Sequence, residues 1–378
     1  MLPHMKHSAP TRWLAPWIAG GLALAGGACQ HTPDSPHRPA AARPAAATPA
    51  ADGALDPGER RASAAGAHTI GTPGPAIALT TIDGETIDLA AVYGTRPVYL
   101  KFWATWCVPC RQQMPGFERI FEAVGDRMAV IAVDTGIDDD VGQVRAFRER
   151  YGLHMPIVVD DGRLAAALDL EVTPQHVLIG RDARIAYVGH LDGEPLDRAI
   201  QDALSRPAPP RPVAGQAVAL RTFHPGDVVQ GLSATTIDGT AVALGPNPSG
   251  RPRALVLFSV SCEWYLKDTR PLTAQACRRV RETVDEIAAR GDAEGSRIDW
   301  LGIASNLWTS VENVAEYRAK TGIRIPLAFD ADGSLLRAFE ARQLPVVVLL
   351  DRTGRIARVL GPDDRDLADA VRSVTGAP

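Results

Sequence analysis

The stretch Phe102-Trp103-Ala104-Thr105-Trp106-Cys107-Val108-Pro109-Cys110 constrains this chain more than any other. An apolar, strand-like run from Pro97 to Trp103 leads straight into two cysteines spaced Cys-x-x-Cys, and amphipathic sequence of helical period follows. One helical turn brings residues i and i+3 together, so this spacing lets the two sulfurs close a small, readily opened disulfide. At a helix start, unpaired backbone N–H groups and the helix dipole favour the thiolate, the form that attacks disulfides. Cys107 is therefore the expected nucleophile. Cys110, one turn deeper, is expected to resolve the mixed disulfide. The rival readings are a structural disulfide and a zinc ligand pair. Zinc would want a second Cys or His pair at ligand spacing, and none lies near in sequence. The redox group is then the Cys107–Cys110 disulfide itself, with no cofactor and no metal.

Trp106-Cys107-Val108-Pro109-Cys110 after Phe102-Trp103-Ala104, with Pro115 eight residues beyond Cys107 and Thr173-Pro174 before a later strand, resembles the TlpA/ResA-like branch of the thioredoxin superfamily. The resemblance covers about residues 76 to 204. It implies that Pro174 is a cis proline facing the cysteines, a rare and placed feature. It also implies that Thr173 offers backbone groups to a substrate chain, with Trp106 and Pro109 beside it as substrate-binding residues. Lys101 departs from thioredoxin, standing where thioredoxins carry a buried acid that assists proton transfer. A lysine on that strand is expected to snorkel outward, and thioredoxin's proton relay is not carried over.

The chain has 378 residues, 46% of them hydrophobic, enough for two domains with real cores. A net charge of -4 gives no basic surface for nucleic acid. No Walker loop, dinucleotide fingerprint or His-Glu-x-x-His motif occurs. Residues 1–28 read as an export signal, with Lys6 and Arg12 ahead of an apolar run of 16 residues, Trp13 to Ala28, that is short for a membrane span. The end of that run, Leu24-Ala25-Gly26-Gly27-Ala28-Cys29, resembles a bacterial lipobox apart from Gly26. The rival is ordinary cleavage after Ala23-Leu24-Ala25. Five cysteines divide into Cys107/Cys110, Cys262/Cys277 and Cys29, and lipidation of Cys29 would remove an unpaired thiol from an oxidising compartment. Residues 29–73, rich in Ala, Pro and small polar residues, are expected to form a disordered tether. Membrane contact is then only through a lipid anchor. Four of the nine histidines (His4, His7, His31, His37) lie in the signal or tether and read as incidental.

The first folded domain is expected over 74–205. Asp83-Gly84 signals a hairpin between Ala78 and Leu89. Pro97–Trp103 is a central strand, Val108–Val124 a helix kinked by Pro115, Met128–Val133 a strand and Val141–Tyr151 a helix. Gln175–Ile179 and Arg184–Val188 form a closing strand pair before a helix over Glu194–Leu204. His154, His176 and His190 show no metal-ligand spacing and read as surface or packed residues. Residues 206–216 are a stiff linker, marked by Ser205–Val213, which has four prolines in nine residues.

Residues 217–378 repeat the first domain. Thr80-Thr81-Ile82-Asp83-Gly84 recurs as Thr235-Thr236-Ile237-Asp238-Gly239, an offset of 155 that carries Cys107 onto Cys262. Gly322–Pro326 matches Gly152–Pro156 at an offset of 170, and Leu344-Pro345 matches Thr173-Pro174 at 171. The implied fold class is α/β: two tandem thioredoxin-like domains, each a central mixed sheet flanked by helices. The second has about 16 extra residues between its first two central strands, much of it a charged helix within Arg278–Trp300. Its chemistry departs, because Tyr265 stands where Cys110 would recur and the next cysteine is Cys277. A straight helix of that length would hold the sulfurs roughly 22 Å apart. Either Glu263–Arg270 is an irregular loop, a helix begins at Pro271 and Cys262 pairs with Cys277, or the two are separate thiols. Pairing is the expectation in an exported protein.

These readings point to an exported, lipid-anchored thiol-disulfide oxidoreductase. The resemblance suggests a reductase or isomerase kept reduced by a membrane thiol reductant and acting on exported proteins such as cytochrome c precursors or copper-site proteins. Potentials in this fold span about -270 mV to about -120 mV, so the sequence leaves the direction open. Two rivals belong to other classes. In one, the second domain holds a client or copper through Cys262. In the other, Cys262 is a peroxidatic cysteine, for which Ser259 fits the motif and Leu255 stands in its proline position. Glu263 and Trp264 beside Cys262 read as surface and packing residues.

Overall fold

The computed structural model describes residues 55–207, 214–216, 219–294 and 297–376. The signal segment 1–28, Cys29, residues 30–54 and the middle of the proline-rich linker lie outside the described residues. Ala54–Pro378 is one compact unit holding two five-stranded sheets.

The first half runs α1 (Pro57–Thr69), β1 (Ala78–Thr80), β2 (Thr86–Asp88), α2 (Leu89–Val92), β3 (Val98–Trp103), α3 (Val108–Val124), β4 (Ala129–Asp134), α4 (Val141–Tyr151), β5 (Ile157–Val159), α5 (Arg163–Ala167), β6 (Gln175–Ile179), β7 (Ile185–Gly189) and α6 (Glu194–Ser205). Its sheet has the order β5-β4-β3-β6-β7, parallel from β5 to β3 and antiparallel from β3 to β7. Every residue of β3 and β4 is buried, which is why both read as near-continuous apolar runs rather than alternating ones. Because α3 begins where β3 ends, Cys107 sits beyond the carboxyl end of the central strand, where open α/β sheets place their sites.

The second half repeats this as β8 (Ser233–Thr235), β9 (Ala241–Ala243), β10 (Arg253–Phe258), α7 (Cys262–Tyr265), α8 (Pro271–Glu294), β11 (Asp299–Ala304), α9 (Val311–Thr321), β12 (Leu327–Phe329), α10 (Ser334–Ala338), β13 (Val346–Leu350), β14 (Ile356–Leu360) and α11 (Leu367–Thr375). The sheet order is β12-β11-β10-β13-β14. Even the register recurs: Val98 faces Ala129 and Ile179, and Arg253 faces Asp299 and Leu350. Both halves are thus thioredoxin-like α/β layers. Among the described residues, no helix is long and apolar enough to cross a membrane.

One segment differs from expectation. Residues 57–69, expected within the disordered tether, form α1 against β7. Asp56 caps the helix by accepting from the Gly58 and Glu59 N–H groups, and Pro57 takes the first helical position. The buried face is Gly58, Ala62, Ala65, Gly66 and Thr69. Small residues at helical spacing let the backbone approach the sheet closely, so the helix packs without the aliphatic residues whose scarcity suggested a tether. A Cβ at Gly58 would lie 2.4 Å from the His190 ring.

Candidate active site

Cys107 is the N-cap of α3, and its Sγ accepts the Cys110 N–H at 3.2 Å. The two cysteines are joined as a disulfide with Cα atoms 5.2 Å apart. The Thr173–Pro174 bond is cis, and the Thr173 carbonyl oxygen lies 3.5 Å from the Cys107 sulfur. Trp106 is fixed by its indole N–H donating to the Ile137 carbonyl at 2.7 Å, and Pro109 occupies the first turn of α3, where no N–H is needed. The structure therefore brings Trp106, Cys107, Pro109, Cys110, Thr173 and Pro174 to one place. On reduction, the capped sulfur at the positive end of a helix is the one favoured as thiolate.

Behind the cysteines the structure corrects the expectation for Lys101. The side chain does not snorkel outward: it is 1% exposed, and Nζ donates to Gln113 Oε1 at 2.9 Å above the Phe117 ring. Central strand β3 is covered on both faces, so its stem has no outward path. Burial lowers its pKa to about 7, against the pull of the Asp192 carboxylate. Gln113 Oε1 also receives His176 Nε2–H at 3.1 Å, which leaves Nδ1 to accept from the Tyr99 hydroxyl at 2.7 Å. Burial, then the Lys101 charge, keeps His176 well below its ordinary range. Gln113 Nε2 donates to the His190 carbonyl, and His190 Nδ1 donates to the Pro174 carbonyl at 2.6 Å. A continuous buried chain thus links Lys101 to the cis proline. His154 instead pairs with Glu118 near the surface.

In the second half, α7 is a single turn, the chain bends through residues 266–270, and α8 begins at Pro271. This fold-back joins Cys262 to Cys277 in a disulfide with Cα atoms 6.2 Å apart. Leu344–Pro345 is also cis, and the Leu344 carbonyl lies 3.8 Å from the Cys277 sulfur rather than beside Cys262. Glu263 is buried against Arg281 at 2.6 Å, and Trp264 packs on Tyr317 under Lys320 Nζ; both hold the domain together. Leu255 lies in the buried strand β10, and Ser259 Oγ meets Ser261 Oγ.

The two halves face each other across their sites with a pseudo-twofold pattern. Trp308 N–H donates to the Glu171 carbonyl at 2.9 Å, and Asp138 N–H donates to the Arg342 carbonyl at 2.7 Å. Asp138 and Trp308 are equivalent at the offset of 170, and both have left-handed backbone, φ 55° and 57°. Trp308 Nε1–H reaches the Thr173 carbonyl at 3.2 Å. Leu344 N–H reaches Asp138 Oδ1 at 3.1 Å. Tyr265 Oη accepts the Val108 N–H at 3.1 Å, capping α3 from the other domain, and its ring meets Trp106 edge-on. Arg270 Nη2 bonds Asp139 at 2.6 Å and also Thr105 Oγ1. Burial raises Asp138 to about 7, with the Leu344 N–H opposing. Burial raises Asp139 too, against Thr105 and Arg270. From α1, Arg61 adds a bond to the Thr309 carbonyl at 2.6 Å. Trp308, Asp138, Arg270 and this role of Tyr265 were not foreseen, although the offset-170 repeat pairs Asp138 with Trp308.

Residues 70–188 match the AhpC/TSA family. This segment, 119 of the 378 residues, is similar to that thioredoxin-like family. Over 91 residues the chain is 43% identical to the thioredoxin-like protein YneN of Bacillus subtilis (strain 168), covering 24% of this chain and 53% of that protein. Over 142 residues it is 28% identical to the thiol-disulfide oxidoreductase ResA of Bacillus thuringiensis (strain Al Hakam), covering 37% and 79%. Among solved structures, a thiol:disulfide interchange protein of the thioredoxin family from Chlorobium tepidum TLS is 23% identical with a TM-score of 0.32, covering 35% of this chain and 97% of that one. The chain thus spans about half of YneN's length, 53%. The segment similar to the AhpC/TSA family holds the Cys107–Cys110 disulfide.

Proposed function

We propose that the chain is an exported thiol-disulfide oxidoreductase that reduces or isomerises disulfides in protein substrates through Cys107 and Cys110. The observation that carries this reading is the Cys107 sulfur at the N-cap of α3, bonded by the Cys110 N–H and set beside the Thr173 carbonyl. In the reducing direction, the Cys107 thiolate attacks one sulfur of the substrate disulfide and the other sulfur leaves as a thiolate. The Cys110 thiol, on losing its proton, attacks Cys107 Sγ and releases the second substrate sulfur. The substrate gains two electrons and two protons, and the chain is left with the Cys107–Cys110 disulfide. This direction requires an external dithiol to reduce the Cys107–Cys110 disulfide again, a role that a membrane thiol reductant would fill. Export and anchoring rest on the N-terminal sequence and on Cys29.

Reduction of a protein disulfide by the full-length chain, with a dithiol present, tests the reading. Cys107→Ser is expected to abolish turnover, and Cys110→Ser to accumulate a substrate adduct on Cys107. Undiminished turnover in Cys107→Ser would overturn it. Labelling of cells with radioactive palmitate tests the anchor, with label expected on the wild type and absent from Cys29→Ser.

A further inference from the structure

We propose that the Cys262–Cys277 disulfide is a second redox centre that exchanges electrons with Cys107/Cys110 within the same chain, so that the second domain is the first domain's built-in disulfide partner. The proposal rests on the thiol-disulfide reading of Cys107/Cys110 above.

Three observations carry it. First, the second domain occupies the backbone positions a substrate chain would use: the Glu171 and Thr173 carbonyls before the cis proline are taken by Trp308 N–H and Trp308 Nε1–H. The group that takes these carbonyls is a turn of this same chain, with Trp308 in a left-handed conformation. Second, an apolar cavity of about 570 Å³ separates the two sites, walled by Trp106, Val108 and Pro109 on one side and by Cys262, Tyr265 and Trp308 on the other. Cys262 therefore faces the nucleophile's helix, while Cys277 lies behind it by the Leu344 carbonyl and lines a separate small pocket together with Val256 and Val280. Third, Cys262 and Cys277 belong to the same buried apolar cluster as Trp106, Cys107 and Cys110. That position is costly to reach from solution, since Cys262 is 1% exposed.

The chemistry follows from which sulfur faces the cavity. With the first pair reduced, the Cys107 thiolate attacks Cys262 Sγ as the docked domain closes over the cavity. The Cys262–Cys277 bond breaks, Cys277 leaves as a thiolate that takes up a proton, and a Cys107–Cys262 bond forms. Cys110 then loses its proton and attacks Cys107 Sγ, releasing Cys262 as a thiolate that is protonated in turn. Two electrons and two protons have passed from the first pair to the second, and the reverse sequence passes them back. Both steps are intramolecular, so they gain the rate advantage of held reactants. Tyr265, at the position where a resolving cysteine would recur, keeps the second site from carrying its own Cys-x-x-Cys and leaves resolution to Cys110.

The test uses the full-length chain. In Cys110→Ser, incubated in a dithiol buffer, acid-quenched, alkylated and mapped by mass spectrometry without reduction, monomers are expected to carry a Cys107–Cys262 bridge with Cys277 alkylated. In a second measurement needing no trapped species, wild type and Cys107→Ser are each treated with dithiothreitol. Reduction of Cys262–Cys277 is expected to be at least about tenfold slower in Cys107→Ser, because the reagent must then reach a buried disulfide directly. No Cys107–Cys262 bridge together with equal reduction rates in the two proteins would overturn the proposal. If the wild type also failed to reduce a small external disulfide through Cys107, the thiol-disulfide reading itself would fall. If it succeeded, only the exchange between domains would.

Discussion

Lys101 is the residue at which burial and charge are most directly opposed. Its folded pKa of about 7 lies below the ordinary 10.5, so between those values the unfolded chain holds a proton that the folded one lacks. Stability therefore rises as pH goes from about 7 toward 10.5, and the cost of charging the buried amine is present in full below that window. Lys101→Met is expected to be more stable than wild type by about 2–4 kcal/mol at pH 6, with the difference shrinking toward pH 10. Urea unfolding at both pH values checks this. The cysteine pairs and Thr173-Pro174 were legible in the sequence because spacing and neighbouring residue types mark them. Lys101 was not, because a lysine stem suits either a snorkelling or a buried site. What decides is a partner, Gln113, brought from α3.

At the scale of elements, strands β3 and β4 and helices α3 and α4 were readable from periodicity and breaker residues. Helix α1 was not, since a Gly/Ala face gives almost no hydrophobic period and its partner, β7, lies far along the chain. Gly58→Val is expected to clash with the His190 ring and detach α1, seen as faster protease cleavage within residues 55–70. A milder loss of about 1 kcal/mol is expected for Asp56→Ala, which removes the cap. The loop after β4 carries a pH-dependent contact. Asp138, with its folded value near 7 and an ordinary value of 3.8, contributes stability that is full below 3.8 and lost as pH rises through 7. Asp139 shifts in the same direction, with Arg270 opposing both. Docking is thus expected to protect Trp308 from quenchers better at pH 6 than at pH 8. Asp138→Asn, which keeps the acceptor for Leu344 N–H, is expected to reduce that difference.

At the scale of the molecule, the tandem repeat was legible, and with it two similar sheets. Their facing was not. It depends on Asp138 and Trp308 meeting the other domain's cis-proline loop, a match between distant surfaces that no local pattern records. Because Trp308 covers the Thr173 carbonyl, Trp308→Ala is expected to weaken docking by about 2 kcal/mol. It should then speed reduction of a folded protein disulfide several-fold while leaving a small aromatic disulfide nearly unchanged. Parallel assays with the two substrates check the contrast.

The most direct measurement is the rate of alkylation of each cysteine in the fully reduced, full-length chain as a function of pH, read by mass mapping. The N-cap position of Cys107 is expected to make it the first site modified, with a midpoint below the free-thiol value of about 8.5, while Cys110 stays slow. A midpoint at or above the free-thiol value, or faster reaction at Cys110, would contradict Cys107 as the nucleophile.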